Sequence, residues 1–480
     1  MARPLLACAL AVAALSLSIP SLSHAHAGRR APAYAGRPAF LASPARQPNS
    51  TPGVGFVIPV APATLTASVT PVARATVTPT TIPTPAPSSL LPLVYYQNGR
   101  GVYAVNHDGG GKALVATMPA STTVRPQLLP DGRLLYPTNA TGSTFAAVDR
   151  FGRLSGIRTP GLYAGETVWS VTPAPDGRSL AWQLFAPLHI GRYPVNTGVG
   201  RVVLTGRFGE GGATIFTTRA DSRYGAVQVA LGWRPSSPYG SGRPTLLLQD
   251  LYGSVDPADG VGFNTMRGLL EYDPAIADLV GDYLPPLTSD VPPQRALTVS
   301  ADGVWTVYGD ANSFTPSGDG PLARVLGALN LNTNRVVALD TAGHYPTTRA
   351  LTTTHRRKAG KRVVTTRVRT GTLRLYQYFS HNAYVAPGDA RVLYTVLTVS
   401  YPRGALVPQV QHSAEVATLD GKHRTAVAPG EAQGEGWLDG HTAVIARAGG
   451  LYSVDINKGT TTKLVGGAPA RLFYIGVRRK

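Results

Sequence analysis

An all-β fold assembled from repeated units is what this 480-residue sequence predicts, and three observations carry the prediction. Only 15% of residues are charged while Gly (53) and Pro (41) are abundant, a balance that suits a turn-rich β-protein better than a helical one. After Leu93 short runs rich in Val, Leu, Tyr and Thr alternate with turn clusters, and helical periodicity is nearly absent. One unit also recurs along the chain, the signature of a repeat architecture. With 43% hydrophobic residues there is enough apolar material for one large core.

In its fullest form the unit is a Pro-Asp-Gly turn, an apolar strand, a gap, and a strand ending in a polar turn. Leu129-Pro130-Asp131-Gly132-Arg133-Leu134-Leu135-Tyr136 is followed by Phe145-Ala146-Ala147-Val148-Asp149. Ala174-Pro175-Asp176-Gly177-Arg178-Ser179-Leu180-Ala181-Trp182 repeats its opening, and looser copies occur at Trp233-Arg234-Pro235, Ser300-Ala301-Asp302-Gly303, Ala386-Pro387-Gly388-Asp389 and Leu438-Asp439-Gly440. Its second half recurs as Gly101-Val102-Tyr103-Ala104-Val105-Asn106 and Gly450-Leu451-Tyr452-Ser453-Val454-Asp455. The turn is locally determined: Pro sets φ, Asp bonds the backbone ahead, and Gly takes the positive φ that completes the reversal. The apolar run after it reads as an inner strand covered on both faces. Units this short cannot bury their own faces, so they must stack, and closure into a ring leaves only short, protected edges.

The Pro-Asp-Gly-Arg-x-Leu motif with its Val-Asp or Val-Asn turn resembles the TolB-like propeller repeats, relatives of the WD-type blades. The resemblance covers residues 93 to 477 and implies a β-propeller. Unit counting gives seven blades, starting near residues 93, 124, 167, 225, 294, 379 and 433; extra strands in the 190s and 350s leave six or eight open. The first unit lacks a strand before Val94, and Arg471 to Val477 is a spare strand after the last, so the C-terminus is expected to complete blade 1.

Ahead of the repeats, residues 1–27 read as a secretory signal: Arg3, an apolar run from Leu5 to Ile19, and Ala25-His26-Ala27 before Gly28. The signal is either cleaved or kept as an anchor. The single cysteine, Cys8, lies inside it and precedes most of the apolar run, so lipidation is rejected and no disulfide is expected. Residues 28–92 are rich in Pro, Ala, Thr and Ser and read as a disordered spacer. Export is therefore expected, with the folded part secreted or held outside the cell envelope. Arg outnumbers Lys, and Ala, Gly and Pro are plentiful, which points to a GC-rich bacterial source.

The net charge of +19 is unevenly spread. Six arginines and no acid precede residue 93, which leaves 39 basic against 26 acidic residues in the propeller region. Between Tyr345 and Phe379 lie nine cations and no acid: Arg349, Arg356, Arg357, Lys358, Lys361, Arg362, Arg367, Arg369 and Arg374. Thr352-Thr353-Thr354 and Val363-Val364-Thr365-Thr366 flank Arg357-Lys358-Ala359-Gly360-Lys361, so residues 346–378 read as an inserted β-hairpin with a basic tip. Polar residues on both faces predict that it projects from the ring. Two readings compete: an edge kept soluble by charge, or an anion-binding element built from Arg356, Arg357, Lys358, Lys361, Arg362, Arg367 and Arg369. The partners expected on the second reading are a protein, a wall polymer or lipid headgroups. Nucleic acid ranks below these because an exported protein meets the envelope first. A monomer is expected.

Other constellations point to structure. Glu271, Asp273, Asp278 and Asp282 surround Pro274-Ala275-Ile276-Ala277-Asp278-Leu279-Val280, which reads as a short helix with a solvated acidic face. Asp256-Pro257-Ala258-Asp259-Gly260 reads as a turn. Ser300 to Trp305 is similar to a single Asp-box of sialidase propellers but lacks the residue between Asp and Gly. No Gly-x-Ser-x-Gly or His-Glu-x-x-His occurs, and the histidines from His107 to His441 are scattered. No cofactor, metal site or catalytic residue is assigned. The expected function is that of a non-catalytic exported binding scaffold. The alternative is a propeller enzyme, a lyase or hydrolase of acidic polysaccharide, with residues gathered at the central channel as in lyases that bind metal through histidine.

Overall fold

The computed structural model describes residues 93–478 apart from 121–123, 150, 191–192, 218, 222–223, 257–259, 284–292, 311–324, 360, 389–390, 403–407 and 467–471. The expected signal and spacer, and the middle of the Asp256–Gly260 turn, lie outside the described residues. Nearly every element is a strand, and the strands form seven antiparallel sheets, each built from consecutive chain segments except the first. The seven start at residues 93, 127, 167, 219, 293, 348 and 433, and they are numbered blades 1 to 7 in that order. The molecule is a seven-bladed β-propeller. The extra strands of the 190s and 350s are extensions of blades 3 and 6, not additional blades.

The exception to local order is the closure. Leu472–Arg478 pairs antiparallel with Leu93–Asn98, so blade 1 takes one strand from the C-terminus and three, Leu93–Asn98, Gly101–Asn106 and Ala113–Thr117, from the start of the domain. The Tyr474 hydroxyl donates to the Trp437 carbonyl of blade 7 at 2.7 Å, fastening the same strand to the last blade.

The Pro-Asp-Gly turns form as their residues require. In blade 2 the Gly132 N–H donates to Leu129 O at 2.8 Å, Asp131 accepts from the Arg133 N–H at 3.0 Å, and Gly132 has φ +79°. Blade 3 repeats this at Ala174 and Gly177, with Asp176 accepting from Arg178, and the Ser300–Gly303 segment folds the same way in blade 5. The structure corrects one detail of the sequence reading. The innermost strands are those that follow one another around the axis, such as Thr167–Pro173 and Gln433–Trp437. The apolar run after each turn is the next strand outward, for instance Leu134–Pro137, Thr245–Asp256 and Thr442–Arg447. That position is the driest in the fold, because both edges are paired and both faces are covered by adjacent blades. Leu134, Leu246, Leu247, Leu248, Tyr394 and Val444 are all fully buried there.

Polar clamps hold the blades where apolar packing alone would leave them free to shear. Fully buried Arg234, at the end of the innermost strand of blade 4, donates to Glu271 and Tyr283 of its own blade, both at 3.2 Å, and to Asn332 of blade 5. Glu271 also accepts from the Thr245 and Tyr283 hydroxyls at 2.5 Å. Gly303 packs against this arginine: a Cβ there would lie 2.8 Å from the Arg234 Cα, and its φ of +72° favours glycine independently.

The segment expected to be helical is a hairpin instead. Asp273 accepts from the Ala275 N–H at 2.8 Å and so organises a turn, Ala277 adopts φ +55°, and Asp278–Tyr283 returns as the outer strand of blade 4. The acids are accordingly structural: Glu271 belongs to the Arg234 clamp, and Asp273 caps backbone amides at Ser241 and Ala275.

Two outcomes follow for stability. A chain ending at Ala470 loses the closing strand with its buried Leu472, and urea unfolding is expected to show a loss of at least about 3 kcal/mol, with a broader transition. In blade 3, Arg201 makes two hydrogen bonds of 2.7 Å to Glu166, both side chains being nearly buried. Burial works to raise the Glu166 pKa, but the hydrogen bonds from Arg201 and from the Tyr163 N–H outweigh it and hold the carboxyl below its ordinary value. A depressed carboxyl stabilises the fold above the unfolded pKa, and that contribution is lost as pH falls through the folded one. Glu166→Gln is therefore expected to destabilise clearly at pH 7, with the difference from the parent shrinking below about pH 4; urea titrations at both pH values check it.

Candidate functional site

The basic segment forms a hairpin in which Thr348–Ala359 pairs antiparallel with the first half of Arg362–Val385, from Ala359 opposite Arg362 to Thr348 opposite Arg374. The second half of that long strand, from Leu375 onward, pairs with Arg391–Ser400 and is the innermost strand of blade 6. One continuous strand thus belongs to the core at one end and to the arm at the other. Twelve residues at roughly 3.3 Å each give the arm a reach of about 40 Å.

The arm is exposed on both faces from Thr352 to Ala359 and from Lys361 to Thr370, and burial begins at Leu373. Val363 and Val364 are at least half exposed, so no apolar cover holds the tip. Local pairing sustains it instead. Thr and Val dominate the neutral positions and favour extended backbone. The register also separates like charges. Arg356 faces Thr365, Arg357 faces Val364, Lys358 faces Val363, Arg362 faces Ala359, Arg367 faces Thr354 and Arg369 faces Thr352. Arg349 and Arg374 near the base face Leu373 and Thr348, and Lys361 lies in the turn between the strands. No cation on the paired strands sits directly across from another, the arrangement that destabilises a ladder most. All seven expected anion-binding residues are brought onto this one arm.

The base of the arm is fixed to the propeller by a cluster that sequence reading did not single out. Asp340 at the end of blade 5 has a fully buried side chain. It accepts from Tyr345 at 2.5 Å, Tyr394 at 2.7 Å, Arg424 at 3.1 Å and the Thr341 N–H at 2.7 Å, and it meets His344 Nδ1 at 2.7 Å. Tyr394 and Arg424 belong to blade 6, and Tyr345 immediately precedes the arm. Burial and the Asp340 charge raise the pKa of both tyrosines, so their hydroxyls stay protonated and committed as donors. Burial also raises the neighbouring Glu415 carboxyl, with the Asp340 charge adding to the effect. Beyond the cluster, Gln377 donates to Pro346 O and the Leu375 N–H to Thr347 O, both at 2.8 Å, and the Tyr345 ring meets Phe379 edge-on. The sequence signal was faint: Asp340, His344 and Tyr345 lie close together, but their partners come from residues 54 and 84 positions away.

Among the described residues no group of three or more His, Cys, Asp or Glu side chains is placed to hold a metal ion. No helix among them is long and apolar enough to cross a membrane.

Seven sheets closed by a C-terminal strand define the class of this protein as a β-propeller. No protein-family model matches the chain, and no curated protein matches it in sequence. Solved structures to which it is similar include a protein assigned as a TolB from Agrobacterium tumefaciens, at 11% identity and TM-score 0.35, covering 80% of this chain and 98% of that one. Another, from Lactobacillus plantarum, has 14% identity and TM-score 0.38, with coverage of 81% and 98%. An oligogalacturonate lyase from Vibrio parahaemolyticus has 11% identity and TM-score 0.32, with coverage of 67% and 90%.

Replacing Asp340 with Ala strands the buried hydroxyl of Tyr394 and the half-buried one of Tyr345 and unpairs Arg424. It is expected to cost about 2–4 kcal/mol in urea unfolding, and limited proteolysis is expected to cut the arm base near Pro346 faster than in the parent.

Proposed function

We propose that this protein is an exported, non-catalytic binding scaffold, in which the propeller is a rigid mount and the arm of blade 6 engages an anionic component of the bacterial envelope. The leader and the Pro/Thr-rich segment ahead of the ring support export and display outside the membrane. One observation carries the binding role: the arm holds nine cations and no acid, exposed on both faces, in a register that keeps cations from facing one another. A strand edge that needed only solubility is served as well by mixed charge, which attracts across the ladder instead of repelling. Single-sign charge on a projecting element costs self-repulsion, and an anionic partner removes that cost.

Co-sedimentation of the full chain with purified bacterial envelopes across a salt series tests this reading, beside a variant with Arg356, Arg357, Lys358, Lys361 and Arg362 changed to Ser. The parent is expected to pellet at low salt and to be released as salt rises, while the variant stays in solution throughout. Parent protein that stays in solution at every salt concentration would make the arm a solubilising edge and overturn the proposal.

A further inference from the structure

The two faces of the arm are not equivalent, and the difference specifies a ligand. Residues directly across a ladder share a face, and faces alternate along each strand. The register therefore puts Arg369, Arg367, Arg356 and Lys358 on one face at four successive levels, set by their partners Thr352, Thr354, Thr365 and Val363. Arg374 continues the row on the same face nearer the base, beyond the bulge at Leu351/Thr352. The opposite face carries Arg349, Arg357 and Arg362, interrupted by Leu351, Leu373, Val364 and Val368. One face carries a cation at each of four levels, two on each strand, with Val363 as its apolar residue, and the other is a mixture.

Successive levels of that row lie about 6.7 Å apart along the arm, and between Arg367 and Arg356 the row also crosses from one strand to the other, a diagonal step of about 8 Å that long side chains can even out. Two residues of extended backbone are six covalent bonds long. A linear polymer carrying one phosphodiester per six backbone bonds, when extended, therefore presents its charges in step with this row. Resting on the reading of the arm as an anion-binding element, we propose that the row Arg369–Arg367–Arg356–Lys358 is the binding face for an extended phosphodiester polymer of the 1,3-poly(glycerol phosphate) type, each cation taking one phosphate.

Two alternatives fit less well. A two-stranded ribbon twists strongly, so one face winds about the arm; a flexible chain can follow it, whereas a flat lipid surface meets it over only part of its length. Single-stranded nucleic acid has the same six-bond repeat, but its binding sites add aromatic platforms for the bases. No Phe, Tyr or Trp occurs between Thr348 and Leu375.

The test compares two full-length variants that each remove three arginines: R356S/R367S/R369S from the row, and R349S/R357S/R362S from the other face. The probe is a fluorescent 1,3-poly(glycerol phosphate) of about ten repeats, long enough to span the row, titrated by anisotropy at several salt concentrations. The row variant is expected to bind roughly tenfold more weakly, with the log–log salt slope shallower by about 2, while the other variant stays within about threefold of the parent. Matching thermal melts of the two variants show that the arm change alone is read. Equal losses in both would reduce the effect to total charge and overturn the proposal. So would tighter binding to single-stranded DNA, or to vesicles of anionic phospholipid, than to the base-free polymer. A parent protein that ignores envelopes and all three probes would instead remove the anion-binding reading on which the proposal stands.

Discussion

Closure of the ring is the constraint on which the rest of this structure depends. Each blade is a four- or five-stranded sheet with two apolar faces, and among the described residues there is no α-helix to cover either, so the cover these show is the neighbouring blade. Such a stack cannot end without exposing a face. The antiparallel pairing of Leu472–Arg478 with Leu93–Asn98 removes the ends by making blade 1 from both termini of the domain. Burial of Leu134, Leu246, Leu393 and Val444 at the second strands is a consequence: these positions are dry only while both flanking blades are present.

Close packing of sheets is orientation-tolerant, because apolar contact is non-directional. The buried clamps supply the direction. Arg234 joins blades 4 and 5 through Glu271, Tyr283 and Asn332, and Asp340 joins blades 5 and 6 through Tyr394 and Arg424. A buried charge of this kind is unfavourable without partners, so these clamps favour the geometry that supplies them and disfavour slid alternatives. The Asp340 clamp lies beside the root of the arm, where Tyr345 enters it. A buried polar contact between two blades therefore sits where a long lever is attached.

Legibility in the sequence followed the range of the interaction. The Pro-Asp-Gly turns could be read because three adjacent residues determine them, and Gly132 and Gly177 have the positive φ their motif requires. Blade count and closure could be read because each unit repeats those local signals. The arm could be read because alternating Thr, Val and Arg with a short turn is a hairpin wherever it occurs. What escaped depended on distant partners. Asp340 is unremarkable until Tyr394 and Arg424 reach it. The helix expected at Pro274 failed although Asp273 caps the Ala275 amide, because Ala277 turns left-handed at φ +55° and Asp278–Tyr283 pairs back onto the strand before it. The face segregation of the arm's cations required the register, including its bulge, which composition does not contain.

That register also bears on why the arm departs from the pattern of a protected edge. Natural edge strands are kept short or covered, and a two-stranded ribbon with both faces in water gains little from its own side chains. Here the same strand runs on through Leu375 into the core of blade 6, so the cost of ordering the arm falls partly on a strand that is already fixed. Gln377 and Tyr345 pin the point where it leaves. An extended array of cations held in order before a ligand arrives loses less conformational entropy on binding than the same residues on a flexible loop. On the proposed reading the propeller contributes without touching the ligand: it fixes the root of a twisted ribbon, so that the order of charges along one winding face is set in advance.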